Sequence, residues 1–133
     1  SNLIEVAEAV DFISVHIYPV WEGKNVAESI TEFKSQFQSV KDKYFNKQVI
    51  ITETGWPTKS NNHQILPMIA NEKNQMIFNT NIINWTENQK TICFLFEAFD
   101  EPWKGSHLED EPEKHWGLYY ENRKPKLIVK NKK

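Results

Sequence analysis

An α/β fold built on a parallel sheet is predicted by three observations in this sequence. Short apolar runs alternate with longer amphipathic stretches. No run reaches the next through a two-residue hairpin turn, so crossover helices must connect them. Each run also stops at a loop rich in acids and aromatics, as strands do at the carboxyl end of a parallel sheet.

The elements follow in order. A short helix over Leu3 to Val10 leads into a first strand, Asp11 to Ile17, which alternates until Tyr18-Pro19. Val26, Ile30, Phe33, Phe37, Val40 and Tyr44 recur at steps of four and three, one face of an amphipathic helix. Asn25 precedes it with Glu28 three residues on, a capping arrangement. The second strand, Gln48 to Thr52, carries the run Val49-Ile50-Ile51 and ends at Glu53. A second long helix takes its apolar side from Ile69, Met76, Ile77, Ile82, Ile83 and Trp85. Thr91 to Phe96 is the third strand, and Ile128 and Val129 belong to a closing helix after Pro125. Strand-to-strand spacing of about 40 residues fits βα units with long loops at the strand ends. No low-complexity linker interrupts the pattern, so residues 1–133 read as one unit.

The bulk properties narrow the function classes. A net charge of -2 gives no case for a nucleic-acid partner, and the basic stretch Arg123 to Lys133 reads as a solvated tail. No apolar run approaches the roughly 18 to 20 residues of a membrane span, and no signal-peptide pattern is visible. Cys93 is the lone cysteine; it sits in an apolar run and reads as a small buried hydrophobe. No Gly-x-Ser-x-Gly elbow or phosphate-binding glycine loop occurs. His107, Glu109, Asp110, Glu111, Glu113 and His115 crowd together without a zinc or EF-hand spacing, so an acidic surface loop is expected, with no metal and no cofactor.

The strand ends carry the chemistry. The first supplies His16, Tyr18, Trp21 and Glu22; the second Glu53 and Trp56; the third Glu97, Asp100, Glu101, Trp103 and Lys104. Parallel strands bring these ends to one face. Trp and Tyr stack on the C–H faces of sugar rings, and carboxylates and lysine hydrogen-bond the hydroxyls. A carboxylate at an anomeric carbon can act as nucleophile while a second carboxyl group protonates the leaving oxygen. His16 faces either the interior or the mouth, as a packed, hydrogen-bonded group or a catalytic one.

Four separated blocks carry a specific resemblance. Val10 to Gly23 (Val-Asp-Phe-Ile-Ser-Val-His-Ile-Tyr-Pro-Val-Trp-Glu-Gly), Thr52 to Thr58 with Glu-Thr-Gly-Trp-Pro, Phe96 to Lys104, and His115-Trp-Gly-Leu-Tyr119 together resemble glycoside hydrolase family 17. The resemblance implies a (β/α)8 TIM barrel of which only about the last three βα units are present, a C-terminal catalytic-domain portion over 1–133. It implies endo-1,3-β-glucanase or β-1,3-glucosyltransferase activity on β-glucan and an extracellular or cell-envelope location. Glu53 falls on the nucleophile, Glu101 and Lys104 on polar residues lining the reacting-sugar site, and Glu113 on a third member of that set. Tyr18 matches an aromatic of the cleft, and Trp56 and Trp103 complete its expected platform.

The departure from the family matters equally. Its acid/base is a Glu in an Asn-Glu pair on an earlier strand, whereas Asn71-Glu72 here begins a helix. A whole barrel takes about 250 residues, and a retaining pair sets its carboxyl groups about 5 to 5.5 Å apart. The chain is therefore expected to need a missing N-terminal part of the barrel and to be inactive alone. Glu97 as the missing acid is a minor rival. A carbohydrate-binding module using Trp21, Trp56 and Trp103 without turnover is the non-enzyme alternative. Asn84-Trp85-Thr86 is a formal glycosylation acceptor inside a helix.

Overall fold

A computed structural model describes residues 3–131. Helix α1 (Leu3–Ala9) leads into strand β1 (Phe12–His16), and α2 (Val26–Lys43) crosses to β2 (Gln48–Thr54). Helix α3 (Glu72–Asn88) crosses to β3 (Cys93–Leu95), and α4 (Leu127–Lys130) follows a long irregular stretch. The strands lie in the order β1-β2-β3, and both pairs are parallel. The parallel α/β expectation holds, with β3 shorter than the apolar run suggested.

Helix α2 begins as its sequence dictates. Asn25 accepts from the Glu28 amide at 3.0 Å, and the Asn25 amide donates to the Glu28 carboxylate at 3.1 Å. This reciprocal cap satisfies two otherwise orphaned donors and contributes about 1 kcal/mol. Phe33 and Phe37 then point into a core shared with Val49, Ile51, Phe78, Ile82 and Trp56. Trp85 of α3 meets both phenylalanines edge-on, with centroids 5.8 and 5.4 Å away.

The apolar side expected of α3 holds at Ile82, with Trp85 packed against the core, but differs elsewhere from the one it buries. Its buried stripe is Gln75, Phe78, Asn79, Ile82 and Thr86, while Met76, Ile77 and Ile83 line an outer groove with Ile128 of α4. Hydropathy misplaces the stripe because three of its five members are polar. Gln75 works there as a clamp: its Nε2 donates to the carbonyls of Trp56 (2.9 Å), Gly117 (3.1 Å) and Trp116 (3.3 Å). The end of β2 and the late loop are thereby tied to one helix.

One face of the sheet is covered by the helices and the other is open. Val49 and Ile51 are buried under the helices, whereas Phe12 and Phe94, 49% and 58% exposed, belong to the opposite face. The period-two alternation of strand side chains accounts for this division.

Candidate active site

Glu53 sits where β2 runs out, and its register partner on β1 is His16, across an irregularity between Val15 and His16. The Tyr18 hydroxyl donates to Glu53 Oε2 at 3.0 Å, and His16 Nδ1 lies 3.2 Å from the same oxygen. His16 is thus at the mouth, with its imidazole beside the carboxylate. Both contacts fall on Oε2, which leaves Oε1 uncommitted among the described residues. The Glu53 side chain is 36% exposed, so it is held and yet accessible. Burial, then the Glu53 carboxylate, raise the Tyr18 pKa, and the charges of Glu113 and Glu97 add to the shift. Tyr18 therefore stays a donor.

Two glycines let the loops close around this carboxylate. A side chain on Gly55 would collide with the Phe96 carbonyl, and one on Gly117 with the backbone of Phe99, Asp100 and Tyr119. Phe96 donates its amide to the Thr54 carbonyl at 2.7 Å, which draws the ends of β2 and β3 together. The Phe96–Glu97 peptide is cis. Residues 97–100 then run beside 116–119, through Glu97 to Trp116, Leu118 to Glu97, Tyr119 to Ala98 and Asp100 to Tyr119 amide-to-carbonyl bonds. That pairing brings Glu113 and Trp116 back over Glu53.

The result is a cavity of about 180 Å³ lined by Tyr18, Trp21, Glu53, Phe96, Glu113 and Trp116. Its walls interlock: Trp116 lies 5.1 Å from Tyr18, 5.8 Å from Trp21 and 6.1 Å from Phe96, centroid to centroid. Beside it, Lys104 Nζ lies 2.8 Å from Glu97 Oε2, pairs with Glu101, and sits 4.4 Å over the Phe96 ring. Burial raises the Glu97 carboxyl against the pull of Lys104, while Lys104 lowers that of Glu101. Burial also raises Glu113, again opposed by Lys104. Neighbouring carboxyl groups thus shift in opposite directions, as they often do at functional sites.

The structure thus gathers Tyr18, Glu53 and Glu113 in one pocket and Glu101 and Lys104 at its side. Trp56 requires a correction. It is fully buried, packs 5.2 Å from Phe78 and donates its indole N–H to the Ile69 carbonyl at 2.8 Å. A ring enclosed on both faces offers no sugar platform, and Trp116 and Trp21 line the cavity instead. Trp103 lies outside the cavity lining and is 75% exposed. Glu22 turns to Lys24 at 2.8 Å.

Sequence reasoning missed a support beneath the loop. Asp100 and Lys126, both buried, pair at 2.7 Å. Lys126 also donates to Thr58 Oγ1 at 2.7 Å, and Asp100 accepts the Gly117 amide at 2.9 Å. Burial lowers the Lys126 pKa against the pull of Asp100. The only available signal was a lysine followed by the apolar Leu127 and Ile128.

Known proteins resemble this chain in sequence and fold. The profile of the BtgE/BtgC glycoside hydrolase domain matches residues 1–117. A glucan 1,3-beta-glucosidase of Schizosaccharomyces pombe is 33% identical over 125 residues, covering 89% of this chain and 37% of the relative. The structure of a glycoside hydrolase family 17 beta-1,3-glucanosyltransferase from Rhizomucor miehei superposes with a TM-score of 0.80 at 27% identity, over 92% of this chain and 44% of that one. An endo-laminarinase from Formosa gives a TM-score of 0.82 at 29% identity, over 97% and 40%. The chain spans between about a fifth and two-fifths of the length of the curated relatives it matches. The chain belongs to the BtgE/BtgC glycoside hydrolase domain family, within the glycoside hydrolase family 17 to which its motifs point.

Proposed function

We propose that residues 1–133 form the C-terminal βα units of a (β/α)8 barrel that cleaves β-1,3-glucan with retention of configuration. The supporting observation is the Glu53 carboxylate at the mouth of parallel strands, held on one oxygen by Tyr18 at 3.0 Å and open to solvent. Glu53 attacks the anomeric carbon, the bond to the leaving oxygen breaks, and a glycosyl-enzyme forms. The acid/base that protonates that oxygen comes from the remaining units of the barrel. Glu101, Lys104 and Glu113 hold sugar hydroxyls, and Tyr18 holds the nucleophile. Trp103 reaches the glucan from the rim. No cofactor takes part.

Likeness to a beta-1,3-glucanosyltransferase favours a second reading in which a sugar hydroxyl, not water, resolves the intermediate. Both readings place the protein outside the cell or at its envelope, where glucan is met. The deciding experiment is Glu53→Gln in the whole protein with laminari-oligosaccharides. Retained binding with turnover lost supports the nucleophile; normal turnover defeats it. Binding by the unaltered protein without any turnover would favour the carbohydrate-binding alternative. Product analysis at rising oligosaccharide concentration separates hydrolysis from transfer.

A further inference from the structure

Lys104 is a long, flexible side chain whose three N–H donors need fixing before any can be aimed. Glu101, three residues before it on the same loop, is one partner. The other, Glu97, is of a different kind. It stands just past β3, and its backbone is tied on both sides: its amide donates to Trp116 O at 3.3 Å and its carbonyl accepts from Leu118 at 2.9 Å. Its side chain is only 14% exposed, and Oε1 is buried without a partner among the described residues. Oε2, at 2.8 Å from Lys104 Nζ, is its working atom.

We propose that Glu97 is a positioning residue, anchoring the Lys104 ammonium to the strand scaffold so that its third N–H is aimed at a glucan hydroxyl. Glu101 alone would leave Lys104 moving with its own loop. Glu97 ties it to the segment just past β3, whose backbone is held at Trp116 and Leu118 and which also presents the Phe96 ring, 4.4 Å from Nζ. A functional group held by rigid elements keeps its aim better than one held by a loop. This inference rests on the proposed glucan-cleaving site and names the group through which Glu97 acts.

The test is a double-mutant cycle in the whole protein, read as kcat/KM on laminarin. Glu97→Ala lowers it about tenfold, and Glu97→Gln, which keeps an acceptor oxygen, recovers part of the loss. In a Lys104→Met background the same Glu97 substitutions cost less than about twofold, because the residue acts through Lys104. Equal losses with and without Lys104 overturn the proposal while leaving the glucan-cleaving reading intact. Should Glu97→Ala fail to fold, the Glu97→Gln arm of the cycle decides alone. If the unaltered protein neither binds laminaritriose nor cleaves laminarin, the site reading itself falls, and this inference falls with it.

Discussion

Tyr18 donates its phenol hydrogen to Glu53 across the β1–β2 boundary, at 3.0 Å. The bond joins residues 35 apart in sequence. Tyr18→Phe keeps the ring that packs edge-on to Trp116 and Phe96 but removes the donor. A hydrogen bond to a charged group contributes about 1.5 to 3 kcal/mol. Tyr18→Phe should therefore lower kcat/KM about ten- to a hundredfold. An unchanged rate would show that the phenol does not hold the nucleophile.

Glu113 gives the pocket a pH signature. Burial raises its carboxyl above the ordinary glutamate value of 4.5, against the pull of Lys104. An acid with a higher pKa in the fold binds more protons folded than unfolded. Its contribution to stability is then full below the unfolded value and is lost as pH rises through the folded one. Glu113→Gln removes that ionisation cost, so the variant should melt above the unaltered protein at pH 7, with the gap closing below about pH 4. Activity should fall at the same time, the usual exchange at a site kept for function. A constant offset across the range would defeat the argument.

The buried pair of Asp100 and Lys126 is expected to act on stability first. Lys126→Met leaves Asp100 charged in a buried place, at a cost of about 3 to 5 kcal/mol. Adding Asp100→Asn, which keeps an acceptor for the Gly117 amide, should restore at least about half of that, since a neutral pair carries no stranded charge. Urea midpoints of the two variants check this. A double variant no better than the single would mean that the lysine packs the loop by shape alone.

Trp56 and Trp103 should separate cleanly. Trp56→Ala empties a fully buried site beside Phe78, at about 3 to 5 kcal/mol. The milder Trp56→Phe should leave KM for laminari-oligosaccharides nearly unchanged. Trp103→Ala, at a residue 75% exposed, should stay within about 0.5 kcal/mol in stability and raise KM instead. Calorimetric titration with laminaritriose, alongside thermal melts, distinguishes the two outcomes.

The contrast between those tryptophans shows where the sequence was legible. Glu53 could be found because an ionisable side chain closing an apolar run has few places to go but the mouth of a parallel strand. The order of strands and helices followed from periodicity for the same reason. Trp56 could not be placed, because its enclosure depends on the Ile69 carbonyl, 13 residues later, returning over its indole. Gln75 and Asn79 were invisible as core residues for an analogous reason: their burial is set by the helix's seat on the sheet and the late loop, not by hydropathy. Asp100 read as one more strand-end acid until Lys126, 26 residues on, was seen to neutralise it.

The open face of the sheet leads to the last prediction. Phe12, Ile92 and Phe94, from 49% to 58% exposed, lie on outer strands β1 and β3 or just before β3. Each of those strands also has an unpaired edge, since the sheet has three members. Exposed apolar strands with free backbone groups template pairing with other chains, and the surface is of the kind that marks an interaction site. Residues 1–133 alone should therefore self-associate and show no laminarin hydrolysis. Co-expression with the βα units proposed to complete the barrel should give a soluble 1:1 complex in which Phe12 and Phe94 become protected. Phe94→Glu should block that complex while leaving the helix-covered core intact. Laminarin hydrolysis by the purified 133-residue chain would refute the whole expectation, because it would mean that both carboxyl groups of the reaction are already here.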